Sequence, residues 1–330
     1  MNKPTTALLL SFATASATAQ AQNKNGMANT FSMNLCRTIN VPLEKVWQAW
    51  SDSAIVKQWW GPEGFTAPVA KMNFKEDGVS LVCMRSPEGL EIYNSWMYTK
   101  ILPMYSIEFA QRFTDKEGNK LNPADIGLPP GIPEIVPHII RFEDLGSGTT
   151  KLTVTESGYT SEQTVEISKA GMQQCLDKME KVLLMHKAQL SEKVVRKQIA
   201  INASAEKLWD VLTKPEMIKH WLGGTNAESD WKAGSPISFS GEWNGSAYKD
   251  KGVVLQFIPL QIFQFSFWSS FSGLPDKAEN YAIVTLQVAQ KSNATQLILT
   301  QRNVATAEMY KHSDKNWDES LAIIKKLSEN

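Results

Sequence analysis

The segment VPLEKVWQAWSDSAIVKQWWGPEGF (Val41–Phe65) has a second version further along the same chain, ASAEKLWDVLTKPEMIKHWLGG (Ala203–Gly224). Glu44, Trp47, Trp59 and Gly61 find Glu206, Trp209, Trp221 and Gly223, each 162 residues on. Two Trp pairs at identical separation, set in the same apolar pattern, mark an internal repeat. Working outward, ILPMYSIEF (Ile101–Phe109) matches FIPLQIFQF (Phe257–Phe265) at an offset of 156. Met172, Leu176, Met179 and Val182 then match Trp317, Leu321, Ile324 and Leu327 at an offset of 145. The shrinking offset places an insertion in the first copy. Its natural home is the turn-rich stretch Thr114–Glu134, where Pro, Gly, Asn and Asp cannot sustain a strand. Two domains follow, 33–187 and 193–330, behind a leader of residues 1–32 and joined by a short polar connector.

Within the first copy the alternation predicts an opening strand over Asn34–Val41. A short helix follows through Val46, Trp47 and Trp50, then a second over Ser53–Trp60 that Gly61 and Pro62 stop. Strand-like segments come next: Val69–Phe74, Val79–Arg85, Glu91–Ile101, Tyr105–Phe113, His138–Glu143 and Lys151–Glu156. Tight turns such as Glu76-Asp77-Gly78 and Gly146-Ser147-Gly148 separate them, which implies an antiparallel sheet. A closing helix over Ser161–His186 carries Val165, Met172, Leu176, Met179 and Val182 on one face, and the sheet is the natural partner for that face.

Composition narrows the function. Hydrophobic residues make up 42% and charged residues 21%, so the chain buries real cores. The 34 basic residues cancel the 34 acidic ones, and no basic stripe is present to neutralise a phosphate backbone, which argues against nucleic acid as a partner. Cys36, Cys83 and Cys175 are too scattered for a zinc site or a disulfide framework. The leader MNKPTTALLLSFATASATAQAQ carries Lys3, an apolar segment from Leu8 to Ala19, and small-residue cleavage candidates at Ala19 or Ala21. That is the pattern of an export signal and implies a periplasmic protein. The alternatives are a disordered Ala/Thr/Ser leader or a start of translation at Met27 or Met33, and with either a cytoplasmic protein. No transmembrane segment is expected in the mature chain.

The order strand, two helices, six strands, helix, together with Val41–Phe65 and the terminal GMQQCLDKMEKVL (Gly171–Leu183), resembles the SRPBCC (START/Bet v 1-like) superfamily. Within it the chain is similar to the family named for the C-terminal domain of the activator of Hsp90 ATPase. The second copy, with NWDESLAIIKKL (Asn316–Leu327), is similar to the same family. The resemblance implies an α+β architecture of two tandem helix-grip domains, each a curved antiparallel sheet gripping its C-terminal helix. It implies less about function, because one scaffold hosts carriers, receptors, cyclases and co-chaperones. The separate N-terminal docking domain of the eukaryotic co-chaperone has no counterpart here, so Hsp90 activation does not carry over.

In helix-grip folds the second short helix rims the entrance to the cavity. Trp59 and Trp221 recur in both copies and suit a scaffold role; Trp60 and Phe65 do not recur and are the better ligand contacts. Met84, Trp96, Met97, Phe109 and Phe113 on strands, with Met172, Cys175 and Met179 on the closing helix, complete the expected first cavity, although alternation puts only about half of the strand residues inside. The second copy has Trp243, Tyr248, Phe265, Phe267, Trp268 and Phe271, with Trp317 in place of Met172, so its interior is expected to be nearly filled.

Enzymatic patterns are missing from the sequence: no GxSxG elbow, P-loop or GxGxxG after a strand, and no helical His pair for a metal. Glu91, Glu143, Glu156 and Glu242 fall on predicted strands. An inward one would be desolvated and fit to act as a general base. A half-exposed strand ordinarily presents Glu to water, so none is assigned a catalytic role, and no cofactor or metal is expected. The expected function is non-enzymatic binding of a hydrophobic small molecule such as a lipid, polyketide or aromatic metabolite, mainly in the first domain. The alternative is a protein-interaction module, a chaperone accessory or stress factor, using the inserted loop, and a minor alternative is a cyclase- or hydrolase-like enzyme using an inward Glu.

Overall fold

The computed structural model describes residues 30–187, 194–291 and 294–330. The leader read as an export signal and most of the polar connector lie outside the described residues. The first unit runs β1 (Phe31–Ile39), α1 (Leu43–Ser51), α2 (Ser53–Trp59), β2 (Thr66–Lys71), β3 (Val79–Arg85), β4 (Glu91–Leu102), β5 (Ser106–Thr114), β6 (Val136–Gly146), β7 (Thr149–Tyr159) and α3 (Glu162–Lys187). The second repeats it: β8 (Val195–Ile201), α4 (Ala205–Thr213), α5 (Pro215–Trp221), β9 (Asn226–Ser229), β10 (Pro236–Trp243), β11 (Ser246–Ile258), β12 (Ile262–Phe267), β13 (Ala282–Lys291), β14 (Ala294–Arg302) and α6 (Ala307–Glu329). Each unit is one seven-stranded antiparallel sheet, ordered β1-β7-β6-β5-β4-β3-β2 and β8-β14-β13-β12-β11-β10-β9. This is the α+β helix-grip architecture that the repeat and the resemblance implied.

Local chemistry sets the elements. The opening strand ends two residues earlier than the alternation predicts, because the Val41 amide turns back to Ile39 O at 2.8 Å and the chain enters α1 behind Pro42. Asp52 caps α2, accepting from the Ala54 amide at 2.7 Å and the Ile55 amide at 3.2 Å. The repeated Trp does the same task in both copies. Trp59 Nε1 donates to Ala49 O at 2.7 Å and Trp221 Nε1 to Val211 O at 2.8 Å, so each pins the second short helix of its unit to the first.

The inserted segment is tied down at its far end. Thr164 Oγ1 on α3 donates to Pro130 O at 2.8 Å, and the Thr160 amide donates to Gly131 O at 3.0 Å. Gly131 needs its φ of +101°, and a Cβ there would stand 2.6 Å from Thr164 Oγ1, so only glycine lets the segment lie this close to the helix.

The two units are joined by more than their connector. Val253, Leu255 and Ile283, on the second sheet, are buried within the core cluster of the first unit. At the same junction Arg302 of β14 pairs with Asp144 of β6, and its Nε lies 3.9 Å from Glu44 of α1. Gln264 Nε2 donates to Asp144 Oδ2 at 2.8 Å, while Gln256 donates to the Asp144 backbone carbonyl. Glu44, Asp144, Gln264 and Arg302 are all buried.

Candidate functional site

The inner face of the first sheet follows from strand alternation. On β4 it carries Asn94, Trp96 and Tyr98, on β5 Phe109, Gln111 and Phe113, on β6 Val136 and His138, and on β7 Val154 and Glu156, all buried. Register brings these side chains together. Asn94 lies opposite Phe113 and Trp96 opposite Gln111; Phe109 lies opposite His138, and His138 opposite Glu156. An aromatic row results. Trp60 meets Trp96 edge-on at 4.7 Å, Trp96 stacks on Phe109 at 5.1 Å, and Phe109 stacks on the His138 ring at 4.6 Å and 14°.

At the end of that row sits a buried polar network. His138 Nδ1 is 2.9 Å from Val136 O and its Nε2 is 3.0 Å from Glu156 Oε1. A carbonyl only accepts, so Nδ1 carries a hydrogen, and a further proton must lie between Nε2 and Oε1. Ser168 of α3 donates to Glu156 Oε2 at 2.6 Å, and the Tyr159 hydroxyl donates to the same oxygen. Burial alone would raise the Glu156 carboxyl. The charge of His138 beside it and the hydrogen bonds from His138, Ser168 and Tyr159 outweigh burial and hold it below the usual carboxylate range. Burial, then the charge of Glu156, pushes the Tyr159 hydroxyl up, so it remains a donor at neutral pH. The expectation of a solvated, outward Glu156 is therefore overturned. Glu91 and Glu143 do face outward, bound to Arg85 and Lys151, and Glu242 is exposed.

The other residues named from the sequence divide clearly. Trp60, Trp96, Phe109, Phe113, Met172, Cys175 and Met179 are buried in the first unit, and Phe65 and Met84 are half-buried beside Gly61. Met97 is a correction: it follows Trp96, points to the opposite face of β4 and is 40% exposed. Cys175 lies under the helix, where burial pushes its thiol up to about 12. Trp96 and Met179 are fully buried in that interior. The half-buried Phe65 and Met84 stand at the mouth of the grip, beside Gly61.

Above that mouth, Lys178 of α3 donates from its Nζ to Phe65 O at 2.8 Å, Gly61 O at 2.9 Å and Pro62 O at 3.2 Å. Burial lowers its pKa. Gln174 accepts from the Glu63 amide at 3.0 Å. The closing helix thus holds the Gly61–Phe65 loop by its backbone.

Among the described residues of the first unit, Trp47, Trp50, Ser106 and Thr114 keep a polar side-chain atom buried without a hydrogen-bond partner, and so, along the aromatic row, do Trp60 and Trp96 at Nε1, Gln111 at Oε1 and Asn94 at both ends of its amide. In the second unit a buried polar side chain under the closing helix is bonded. Gln301 accepts from Trp317 Nε1 at 2.6 Å and donates to Ser313 Oγ at 3.3 Å. The expected filling of that interior needs correcting in part. Phe265 is buried and Phe267 half-buried, both against Phe239, but Phe271 is 56% and Trp243 60% exposed, and Tyr248 and Trp268 are half-buried. A surface groove of about 490 Å³ at α5 and β9, reached by Lys219 and Trp231, shares no residue with the network of the first unit.

A curved antiparallel sheet closed by a long C-terminal helix, present twice in one chain, defines a tandem helix-grip protein. The sequence profile of the family described as Activator of Hsp90 ATPase homolog 1-like protein matches residues 40–184 and, a second time, 202–329. The chain belongs to that family. Among solved structures it is similar to a protein from Cytophaga hutchinsonii, 43% identical over 40% of this chain and 91% of that one, with a TM-score of 0.37. It is also similar to the AHSA1 protein from Silicibacter pomeroyi, 21% identical over 47% of this chain and 99% of that one, TM-score 0.40. A third is a protein from Chromobacterium violaceum, 22% identical over 46% and 96%, TM-score 0.39. No curated protein matches the sequence. Among the described residues no helix is long and apolar enough to cross a membrane.

Proposed function

We infer that the first grip binds a hydrophobic small molecule of aromatic character, and that the second grip supports it. The observation that carries this reading is the set of unpartnered polar atoms on Asn94, Gln111, Trp60 and Trp96, set in an aromatic wall. Folded proteins leave few buried polar groups without partners, and each such group calls for an explanation. Here a ligand with an apolar body and a few hydrogen-bonding groups answers it, the usual composition of small-molecule sites. Inward-facing Glu156 does not favour catalysis over binding, because both of its oxygens already accept hydrogen bonds.

The test is to titrate a neutral apolar fluorophore into the full chain and to weigh the purified protein by native mass spectrometry. Quenching of Trp emission should saturate at one probe per chain. Asn94→Leu removes an unpaired buried amide, so it should stabilise the fold while weakening the probe; unsatisfied buried polar groups cost about 1–3 kcal/mol. A probe that binds wild type and Asn94→Leu alike, with no co-purifying mass, overturns the reading.

A further inference from the structure

The strongest unexplained feature is that one place in the fold is charged in the first unit and neutral in the second. Glu156 on β7 lies opposite His138; at the matching place on β14, Gln301 lies opposite Val284. Ser168 stands twelve residues after Glu156 and bonds it, and Ser313 stands twelve residues after Gln301 and bonds it. Both networks tie the closing helix to the sheet. The buried network of the second unit does so with no ionisable group, its ion pairs from Lys197 to Asp314 and Asp318 being partly exposed. A buried ion pair is seldom more stabilising than a neutral replacement, so the charge in the first unit needs another reason.

We propose that Glu156, clasped between His138 and Ser168, is the latch that holds α3 over the first grip, and that its protonation from solvent releases the helix and admits the ligand. This regulation rests on the binding reading above. The groups facing Glu156 are few. Buried Met33 is its partner on β1; His138 faces it from β6, Tyr159 from its own strand, and Ser168 from α3. Cys175, and beyond it Lys178 with its ammonium bound to loop carbonyls, come next along the helix. Among the described residues His138 is thus the one basic side chain that bonds the carboxylate. Ser168 is the only group among these donors that belongs to the moving helix. Its bond is charge-assisted, hence about twice as strong as a neutral one. Adding a proton to Oε2 removes that assistance from the helix side while His138 stays on the sheet.

The experiment is hydrogen exchange on the full chain from about pH 7 down to the onset of acid unfolding, corrected for intrinsic rates, with probe binding measured in parallel. α6 is the internal reference for global unfolding: its buried Gln301 network is neutral, and its pairs from Lys197 to Asp314 and Asp318 have a counterpart on α3 in Arg37–Asp177. Protection of α3 around Ser168 should fall about tenfold or more relative to α6 on acidification, the factor a lost charge-assisted bond gives. Probe uptake should become faster over the same range. Glu156→Gln copies the second unit and should abolish the pH response; Ser168→Ala should leave α3 weakly protected at every pH. An unchanged α3 to α6 ratio in wild type, or an equal response in Glu156→Gln, overturns the latch. Loosening without faster uptake overturns its gating role. If no probe binds at any pH, the binding reading fails, and the exchange ratio alone still decides the latch.

Discussion

Glu156 and Gln301 occupy the same place in the two grips, one ionised beside a histidine and one neutral beside a tryptophan. The sheet and closing helix around them are built alike, so the difference lies in chemistry and not in fold. Its first consequence is a pH-dependent stability.

The Glu156 carboxyl is held below its ordinary range in the folded protein, whereas the unfolded chain releases it to about 4.3. A lowered folded value contributes stability that is present in full above the unfolded value and is lost as pH falls through the folded one. Urea denaturation across that acidic window should show the loss, and Glu156→Gln should flatten it. Glu156→Ala instead strands His138 and two hydroxyls, and should cost about 3–5 kcal/mol at neutral pH.

Arg302 is the second test. It is buried between the units against Asp144 and near Glu44, so removing its charge leaves buried carboxylates without their cation. Arg302→Met should cost about 3–5 kcal/mol, and pairing it with Asp144→Leu should recover much of that loss. Expressing the second unit alone bares Val253, Leu255 and Ile283, so the isolated half should self-associate, as sedimentation would show.

Much of this was legible in the sequence. The repeat gave the number of units, and β3 spans Val79–Arg85 as predicted because turn residues bound it on both sides. Trp59 and Trp221 recur because both make the same bond to a carbonyl ten residues back. The inward Glu156 was not read, since alternation fixes which residues share a face but not which face is buried. A signal was nonetheless present. Glu156 with Gln301 and Ser168 with Ser313 continue the offset of 145 already seen on the closing helices. The junction between units left no such trace. Glu44 and Glu206 look equivalent in the repeat, yet Glu206 is exposed on the first turn of α4 and Glu44 is buried by the other unit.

The closing helices give a third comparison. The sequence made Trp317 the larger filler in place of Met172, but Met172 is 6% exposed and Trp317 is only partly buried. Met172→Ala should cost about 2–5 kcal/mol through the cavity it leaves. Trp317→Phe keeps most of the ring contact but leaves Gln301 Oε1 without its donor, an expected cost of about 1–3 kcal/mol. Chemical denaturation of the two variants checks both values.

Lys178 allows the mouth to be tested apart from the latch. Its ammonium gathers the carbonyls of Gly61, Pro62 and Phe65, so one side chain of α3 fixes the loop on which Phe65 stands. Replacing it by methionine keeps much of the apolar stem and removes every one of those donors. Pro62 and Phe65 are half-buried beside exposed Glu63 and Gly64, so water reaches their carbonyls, while the buried Gly61 carbonyl keeps a cost of about 1–3 kcal/mol. The loop should open more often. With about 1 kcal/mol for one net hydrogen bond, probe association to Lys178→Met should quicken about fivefold or more at neutral pH. Stopped-flow mixing reads that rate directly. The acid response of α3 protection should persist in this variant, because Glu156, His138 and Ser168 are untouched. An association rate equal to that of wild type would mean that the guest does not pass Phe65.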